Sequence, residues 1–471
     1  MTIRQYNRYL LSMCGLAGLL YGIDVGLIAS ALPYIRATCA FTDVQLASIV
    51  SAVLLGAVPG KILAGFVSER FGRLAAFRLT AVVFAVAVPV ICLSHGIFPL
   101  MLAGRLLQGV GVALAGISSP LYMAECSCSD DRGKCTGMIQ LTLAVGLVVA
   151  ALVGCAVTHF YGPADSAAVT SAAKTAAWQS VFWFSIVPTA FLFFGSIRLK
   201  ESPRWLFKKG RESAALDALL ANNDRANAEK ILEDMRRNRD SSRRRLDGEA
   251  ASRDRLLQRK YVLPFAIALL VMCFTQATGV NSLLNYSVVI LQKAGSEGIS
   301  ANVADAVIKL ANFVMTAVAL ALIDRKGRKT LLTIGTSGVV VGLLLAGAVF
   351  LAVEHGLIPA CPTTGWLVAF GLVVYIAAYG VGPGVCVWLA VSELMPIRIR
   401  AGGMTVTGIC SMCVGWAIAQ AFLPWSRACG ESSVFFTLGG IAVLYFLTAR
   451  YLLPETKGRS LEEIERFFSK E

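Results

Sequence analysis

Residues 16–30 read LAGLLYGIDVGLIAS, inside an apolar run from about Tyr9 to Leu32. A run of that length crosses a bilayer core of ~30 Å as a single helix. Asp24 is its only charge, and a charge near the membrane centre is costly unless it meets a partner, a proton or water. Gly18, Gly22 and Gly26 recur every four residues, a stripe of small residues that lets a second helix come close. An aspartate capping a break in a buried helix is the plain reading. An ionisable group on a transport path is the reading this setting favours.

The rest of the chain has the same character. Of 471 residues, 56% are hydrophobic and 15% charged, whereas a soluble protein of this length carries far more charge. Apolar runs of ~20 residues recur along nearly the whole length, so a polytopic helical membrane protein is expected, with the lipid bilayer as its solvent. The net charge of +14 comes largely from basic residues in short loops between spans. That is the positive-inside pattern and not a nucleic-acid surface. No cleavable signal peptide is expected, because the first apolar segment is full length and more follow it. The thirteen cysteines lie mostly within apolar runs, where they act as small hydrophobes, and show no metal-ligand spacing. Cys410 and Cys413 form a Cys-x-x-Cys inside a span, read as packing. With no hydrolase elbow, no phosphate-cradling glycine loop and three histidines, neither an enzyme nor a metal or cofactor site is expected.

After the first span the hydropathy places others at about Val44 to Val67, Leu74 to Leu93, Phe98 to Ala124, Cys135 to Val157 and Trp178 to Ile197. Arg105 falls inside the fourth, and an intramembrane arginine and aspartate make sense mainly as each other's partner. Lys61, inside the second, is expected to snorkel toward the cytoplasmic face. From Lys200 to Lys260 the chain turns charged and helix-forming. Arg236, Arg237, Arg239, Arg243, Arg244 and Arg245 mark a cytoplasmic linker of amphipathic helices with a flexible middle, facing anionic lipid. Six more spans follow, at about Tyr261 to Gln292, Ala301 to Ile323, Thr330 to Val353, Trp366 to Leu389, Ala401 to Leu423 and Ser433 to Leu453.

The second set repeats the chemistry of the first. Asp324-Arg325-Lys326-Gly327-Arg328 echoes Glu69-Arg70-Phe71-Gly72-Arg73, and Glu393 precedes Arg400 by seven residues as Glu125 precedes Arg132. Two six-span halves, 1–199 and 261–453, joined by the linker 200–260 and followed by a short cytoplasmic tail 454–471, are therefore expected. A parallel repeat of this kind implies a pseudo-two-fold axis along the membrane normal.

With these strings in register, the chain resembles the sugar porter family of the major facilitator superfamily over essentially its whole length. Gly22-Ile23-Asp24-Val25-Gly26 is similar to the first-span signature. The two loop strings resemble the paired cytoplasmic motifs, while Glu201-Ser202-Pro203-Arg204 and Pro454-Glu455-Thr456-Lys457-Gly458 match the strings after spans six and twelve. The resemblance implies a twelve-helix transporter, functional as a monomer in a plasma or inner membrane, with both termini cytoplasmic. It also implies a cytoplasmic latch, in which Arg73 and Arg328 reach Glu125 and Glu393 among Glu69, Arg70, Arg132, Asp324, Arg325 and Arg400. Such pairs hold one access state together and part in the other.

The resemblance further carries over a solute site midway through the bilayer, from Tyr21, Gln140, Gln276, Asn281, Asn312 and Trp388. Amides donate and accept, matching vicinal hydroxyls, and an indole covers the apolar face of a ring; intramembrane amides also glue helices together. Departures from the family pattern are Thr275 for a first Gln, Asn285 before Tyr286, Gly415 before Trp416, Gly380 in span ten and Cys128 after Glu125. They leave a hexose, a pentose, a polyol or another small hydroxylated solute open. Asp24, where facilitators of the family generally have Asn, favours proton coupling through Asp24 and Arg105. A uniporter, a non-transporting sensor and a drug exporter are the alternatives; a sensor tends to carry a long cytoplasmic tail, whereas about eighteen residues follow Leu453 here. The resemblance also raises a candidate disulfide between Cys39 and Cys429, whose loops both fall on the non-cytoplasmic side.

Overall fold

The computed structural model describes residues 1–126, 132–249, 258–296, 298–396 and 398–455. Among them, twelve helical segments are long and apolar enough to cross a membrane. The first half holds α1 (Ile3–Thr38), α2 (Asp43–Arg70), α3 (Arg73–Cys92), α4 (Phe98–Cys126), α5 (Arg132–Tyr161) and a sixth span broken into α6 (Ser171–Trp183) and α7 (Ile186–Ser196). Pro188 explains that break, since it has no N–H to give the Phe184 carbonyl one turn back. Between the halves run α8 (Pro203–Lys208), α9 (Glu212–Leu219) and α10 (Arg225–Glu249). The second half holds α11 (Arg259–Ala277) with α12 (Val280–Lys293), α13 (Ile299–Lys326), α14 (Arg328–Glu354), α15 (Pro362–Val381) with α16 (Pro383–Leu394), α17 (Arg400–Cys429) and α18 (Glu431–Leu447).

Two of the broken spans are broken by glycine. Gly279, at φ +82°, turns α11 into α12 in the left-handed region that a side chain resists. Gly382 ends α15, and Pro383 opens α16 at the one helical position where proline loses no hydrogen bond. Both breaks fall mid-span, where freed backbone groups line the interior of the bundle.

Within each half, helices pack closely because small residues allow it. A Cβ added at Gly22 would lie 2.0 Å from the Leu143 carbonyl oxygen of α5, and one at Gly26 would lie 2.6 Å from Ala150 Cβ. Gly18 faces Thr142 and the Ile139 carbonyl in the same way. The glycine stripe is thus the surface on which α1 crosses α5, and it fixes the depth and rotation of Asp24.

A second device recurs at helix starts. Gly72, Gly327 and Gly430, at φ +112°, +86° and +85°, precede α3, α14 and α18. Each has a carboxylate lodged where a side chain would be, and each carboxylate accepts from the first amides of the helix. Glu201 accepts from the Arg73 and Leu74 N–H at 3.0 and 3.1 Å. Glu455 accepts from the Arg328 N–H at 3.1 Å, and Glu354 from the Ser432 N–H at 3.1 Å. The motif strings before α3 and after α7, separate in the sequence, are two sides of one contact.

The linker differs from its expected form. Its middle is helical through Glu249 rather than flexible, as its Ala, Glu, Arg and Leu content favours. Arg236 and Arg239 do not turn toward lipid; both pair with Glu212 of α9, at 2.8 and 3.3 Å. The side chains of Arg243, Arg244 and Arg245, and the chain beyond Glu455 with Thr456, Lys457 and Gly458, lie outside the described residues.

The two halves meet along three seams, α1 with α12, α2 with α17 and α5 with α13. At the end away from the linker, here the far end, Ser51 donates to Gln420 at 2.7 Å, Arg427 pairs with Asp43 at 2.6 Å and Gln292 donates to Asp165 at 2.8 Å. Toward the linker end the α2–α17 seam opens: a Cβ added at Gly65 or Gly402 would meet nothing within 4 Å. The halves are closed at the far end and part at the other.

Gly22→Ala should lower stability by about 1–3 kcal/mol, because its Cβ meets backbone that cannot move aside. Gly65→Ala should leave stability unchanged. Thermal unfolding of both variants in detergent checks this, and equal midpoints for the two would contradict the crossing described.

Candidate functional site

Asp24 of α1 and Arg105 of α4 are both fully buried, with Arg105 Nη1 3.9 Å from Asp24 Oδ1. That is a loose ion pair. The guanidinium spends its directed hydrogen bonds elsewhere: Nη1 donates to Gln108 Oε1 at 2.8 Å, and Nε to the Ile49 carbonyl of α2 at 3.3 Å. Its plane stands 5.8 Å from the Phe182 ring centroid. Neither Asp24 oxygen accepts a hydrogen bond from a described group. Arg105 is therefore held in place independently of Asp24, and the carboxylate is tied to it only by Coulomb attraction in a low dielectric.

The solute-site residues divide. Gln276 and Asn281 flank the α11–α12 break, and Asn281 Nδ2 donates to Gln276 Oε1 at 2.5 Å. Gly415 of α17 faces this pair, an added Cβ lying 3.3 Å from Gln276 Oε1. Asn312 of α13 is buried, and Gly380 faces its Oδ1 likewise, at 3.2 Å. The two departures from the family pattern thus open space beside the amides. Thr275 does not: its hydroxyl turns away to the Tyr445 hydroxyl, 2.8 Å off, and to the Val271 carbonyl. Tyr21 on α1 and Gln140 on α5 are half-buried, and no described contact joins either to the Gln276–Asn281 pair. Trp388, 44% exposed, is the most open of the set.

Lys61 does not snorkel. Its Nζ donates across the seam to the Gly408 carbonyl of α17 at 2.9 Å and stands 5.7 Å over the Trp388 ring. A backbone carbonyl on the opposite half is a partner that sequence patterning does not reveal.

At the linker end, Arg73 grips Glu125 with two parallel bonds of 2.8 and 2.9 Å and reaches Glu69 at 3.2 Å. Ser202 donates to the same Glu125, and Lys208 pairs with Glu69 at 2.6 Å. In the second half Arg328 pairs with Glu393 at 3.1 Å. Both pairs lie within one half, not between halves. Burial pushes the Glu201 carboxyl up from its ordinary value, opposed by the backbone N–H groups of Ser202, Leu74 and Arg73. Arg400 is not held by a carboxylate; its Nε and Nη2 donate to the Met395 carbonyl at 3.2 Å. Arg70 and Arg325 are exposed. The side chains of Arg132 and Asp324, and Cys128, lie outside the described residues.

Cys39 and Cys429 are both free thiols, so the candidate bridge is absent. Cys39 turns back onto its own half, its sulfur 3.7 Å from Thr38 Oγ1 and packed against Gly96, while Cys429 is exposed at the end of α17.

Sequence reading also missed a second buried ion pair. Asp305 and Lys309, one turn apart on α13, meet at 2.7 Å with neither side chain exposed. Two charges at helical spacing inside span eight were the available signal.

Two six-helix halves related by repeated loop motifs, with charged pairs buried in the bundle, define a secondary transporter of the major facilitator fold. The profile described as "Sugar (and other) transporter" matches residues 11–468, and the chain belongs to that family. It is 28% identical to the arabinose-proton symporter of Escherichia coli K12, covering 98% of this chain and 93% of that one. It is 31% identical to the major myo-inositol transporter IolT of Bacillus subtilis, covering 98% and 94%. The inward open structure of the xylose transporter XylE from E. coli superposes with a TM-score of 0.79 at 22% identity, over 98% of this chain and 99% of that one.

Gln276→Ala and Gln140→Ala should each weaken binding of the transported sugar by about 1–3 kcal/mol, since each leaves a hydroxyl without its partner. Thr275→Val, whose hydroxyl serves Tyr445, should bind as the parent does. Calorimetric titration of the three variants separates these outcomes.

Proposed function

We propose that this chain imports a sugar or polyol together with a proton, by alternating access of one central site to the two membrane faces. The observation that carries this is the looseness of the Asp24–Arg105 pair. The two are 3.9 Å apart, and the carboxylate has no described hydrogen-bond donor to lose. A carboxylate beside a guanidinium keeps its charge; one parted from it in apolar surroundings is neutralised by a proton. If solute binds best when Asp24 is protonated and released from Arg105, proton and solute must favour each other, because linkage is reciprocal.

Gln276, Asn281 and Asn312 would supply hydrogen bonds to hydroxyls, with Tyr21, Gln140 and Trp388 closing around the ring. The relatives named for arabinose–proton symport and myo-inositol transport support a small polyhydroxylated solute. The concentration of Lys and Arg around the linker assigns that end to the cytoplasm, and with it both termini, in a plasma or inner membrane. Closed at the far end and parted at the linker end, the molecule is then in its inward-facing state. Arg73–Glu125 and Arg328–Glu393 act as the latch by holding the inner ends of spans two to four and eight to ten as rigid units. The chain works as a monomer, with halves 1–199 and 261–453, the linker 200–260 between them and the tail 454–471 behind.

Asp24→Asn imitates the protonated form and cannot titrate. It should keep exchanging labelled sugar across proteoliposome membranes and lose accumulation driven by an imposed proton gradient. Arg105→Ala should impair both, because it strands a buried carboxylate. Gradient-driven accumulation surviving in Asp24→Asn would make Asp24 structural and favour a uniporter.

A further inference from the structure

Asp305 and Lys309 have no role in the scheme above, and they are the most deeply buried charges outside it. Their ion pair, 2.7 Å long, lies wholly within α13. Ser287 of α12 donates to the other carboxylate oxygen, Asp305 Oδ1, at 2.6 Å. To this point everything belongs to the second half. The ammonium then leaves it: Lys309 Nζ donates to the Gly26 carbonyl of α1 at 3.2 Å. Gly26 is two residues from Asp24, at the place where α1 crosses Ala150 of α5. Lys309 in turn lies one turn from Asn312. A single ammonium therefore joins the helix bearing Asp24 to the helix bearing Asn312.

We propose that the Asp305–Lys309 pair is a clasp inside the membrane that stabilises the state closed at the far end, through the bond from Lys309 to the Gly26 carbonyl. The inference rests on the alternating-access reading above. Asp305 and Ser287 orient the ammonium and offset its charge, so Lys309 stays with the second half when the halves separate. What is lost on separation is one charge-assisted hydrogen bond to a carbonyl that already serves its own helix and uses its second lone pair here. Nearby, the seam carries only neutral contacts, such as Asn302 to Thr158 at 3.1 Å. The clasp is thus the one charged tie across the α5–α13 and α1–α12 seams among the described residues at this depth. Lys309 and Asp305 act as positioning residues: they set the population of states without touching solute.

The test uses a pair of far-end reporters. Asp165 and Gln292 touch across the halves at 2.8 Å and are exposed, so Asp165→Cys and Gln292→Cys should cross-link readily in the closed state, read as the bridged peptide by mass spectrometry. In that background the double variant Asp305→Leu/Lys309→Met replaces the ion pair by apolar volume, a change buried pairs often tolerate. It should cross-link about tenfold more slowly than the parent pair, the effect of losing one charge-assisted hydrogen bond. Lys309→Arg, which keeps a charged donor, should restore the parent rate. If the apolar double does not purify, Asp305→Asn/Lys309→Gln carries the same expectation, since its amide brings no charge to Gly26. A folded variant lacking the pair that cross-links at the parent rate overturns the clasp.

Alkylation of Cys413, exposed and close to Lys61 at the opening seam, reads the other end at the same time. Slower alkylation accompanying far-end opening supports both claims. Far-end opening with Cys413 still alkylated at the parent rate keeps the clasp and overturns alternating access.

Discussion

Hydrocarbon offers no partner to a charge or to an open backbone group, and that constraint orders this molecule from its helix ends to its centre. Every charge described within the bundle has been given something to face. Arg105 is fixed by Gln108 and the Ile49 carbonyl, Lys309 by Asp305 and the Gly26 carbonyl, and Lys61 by the Gly408 carbonyl and the Trp388 ring. Asp24 is the exception. It has a counter-charge at 3.9 Å but no described hydrogen bond, so it is the charge least costly to neutralise.

The same constraint explains the carboxylates at the helix starts. Glu201, Glu455 and Glu354 each satisfy amides that a helix cannot satisfy itself, and each sits where only glycine leaves room. They lock neighbouring helix ends into rigid units, so that movement is left to the seams between the halves. Those seams are joined by few and mostly long-side-chain contacts: Gln420 with Ser51, Arg427 with Asp43, Lys61 with Gly408 and Lys309 with Gly26. Tight within each half and sparsely tied between them is the mechanical arrangement that rigid-body rocking requires.

The twelve spans and the two halves were legible because hydropathy and repeated loop strings are properties of single segments. Gly18, Gly22 and Gly26 announced a close crossing, although the helix they meet, α5, follows only from three dimensions. The pairing of Arg73 with Glu125 could be guessed because a basic loop residue and an acid at a span end repeat in both halves. Lys61 and Lys309 could not be placed in the same way, since each is answered by a backbone carbonyl of the opposite half and a carbonyl leaves no trace in the sequence. The Cys39–Cys429 bridge failed for a related reason: two loops on one side of a membrane need not bring their thiols together, and Cys39 packs inward on its own half.

The central claim is that one proton crosses with each solute through the titration of Asp24. Solid-supported-membrane recording on proteoliposomes measures the charge that a solute jump carries across the bilayer. L-arabinose, D-galactose, D-xylose and myo-inositol are the solutes to apply, with labelled uptake of each measured in parallel. The account predicts an inward positive current for whichever solute is taken up, suppressed by dissipating the membrane potential-forming gradient of protons and absent for the others. Uptake of a solute with no accompanying current would contradict it.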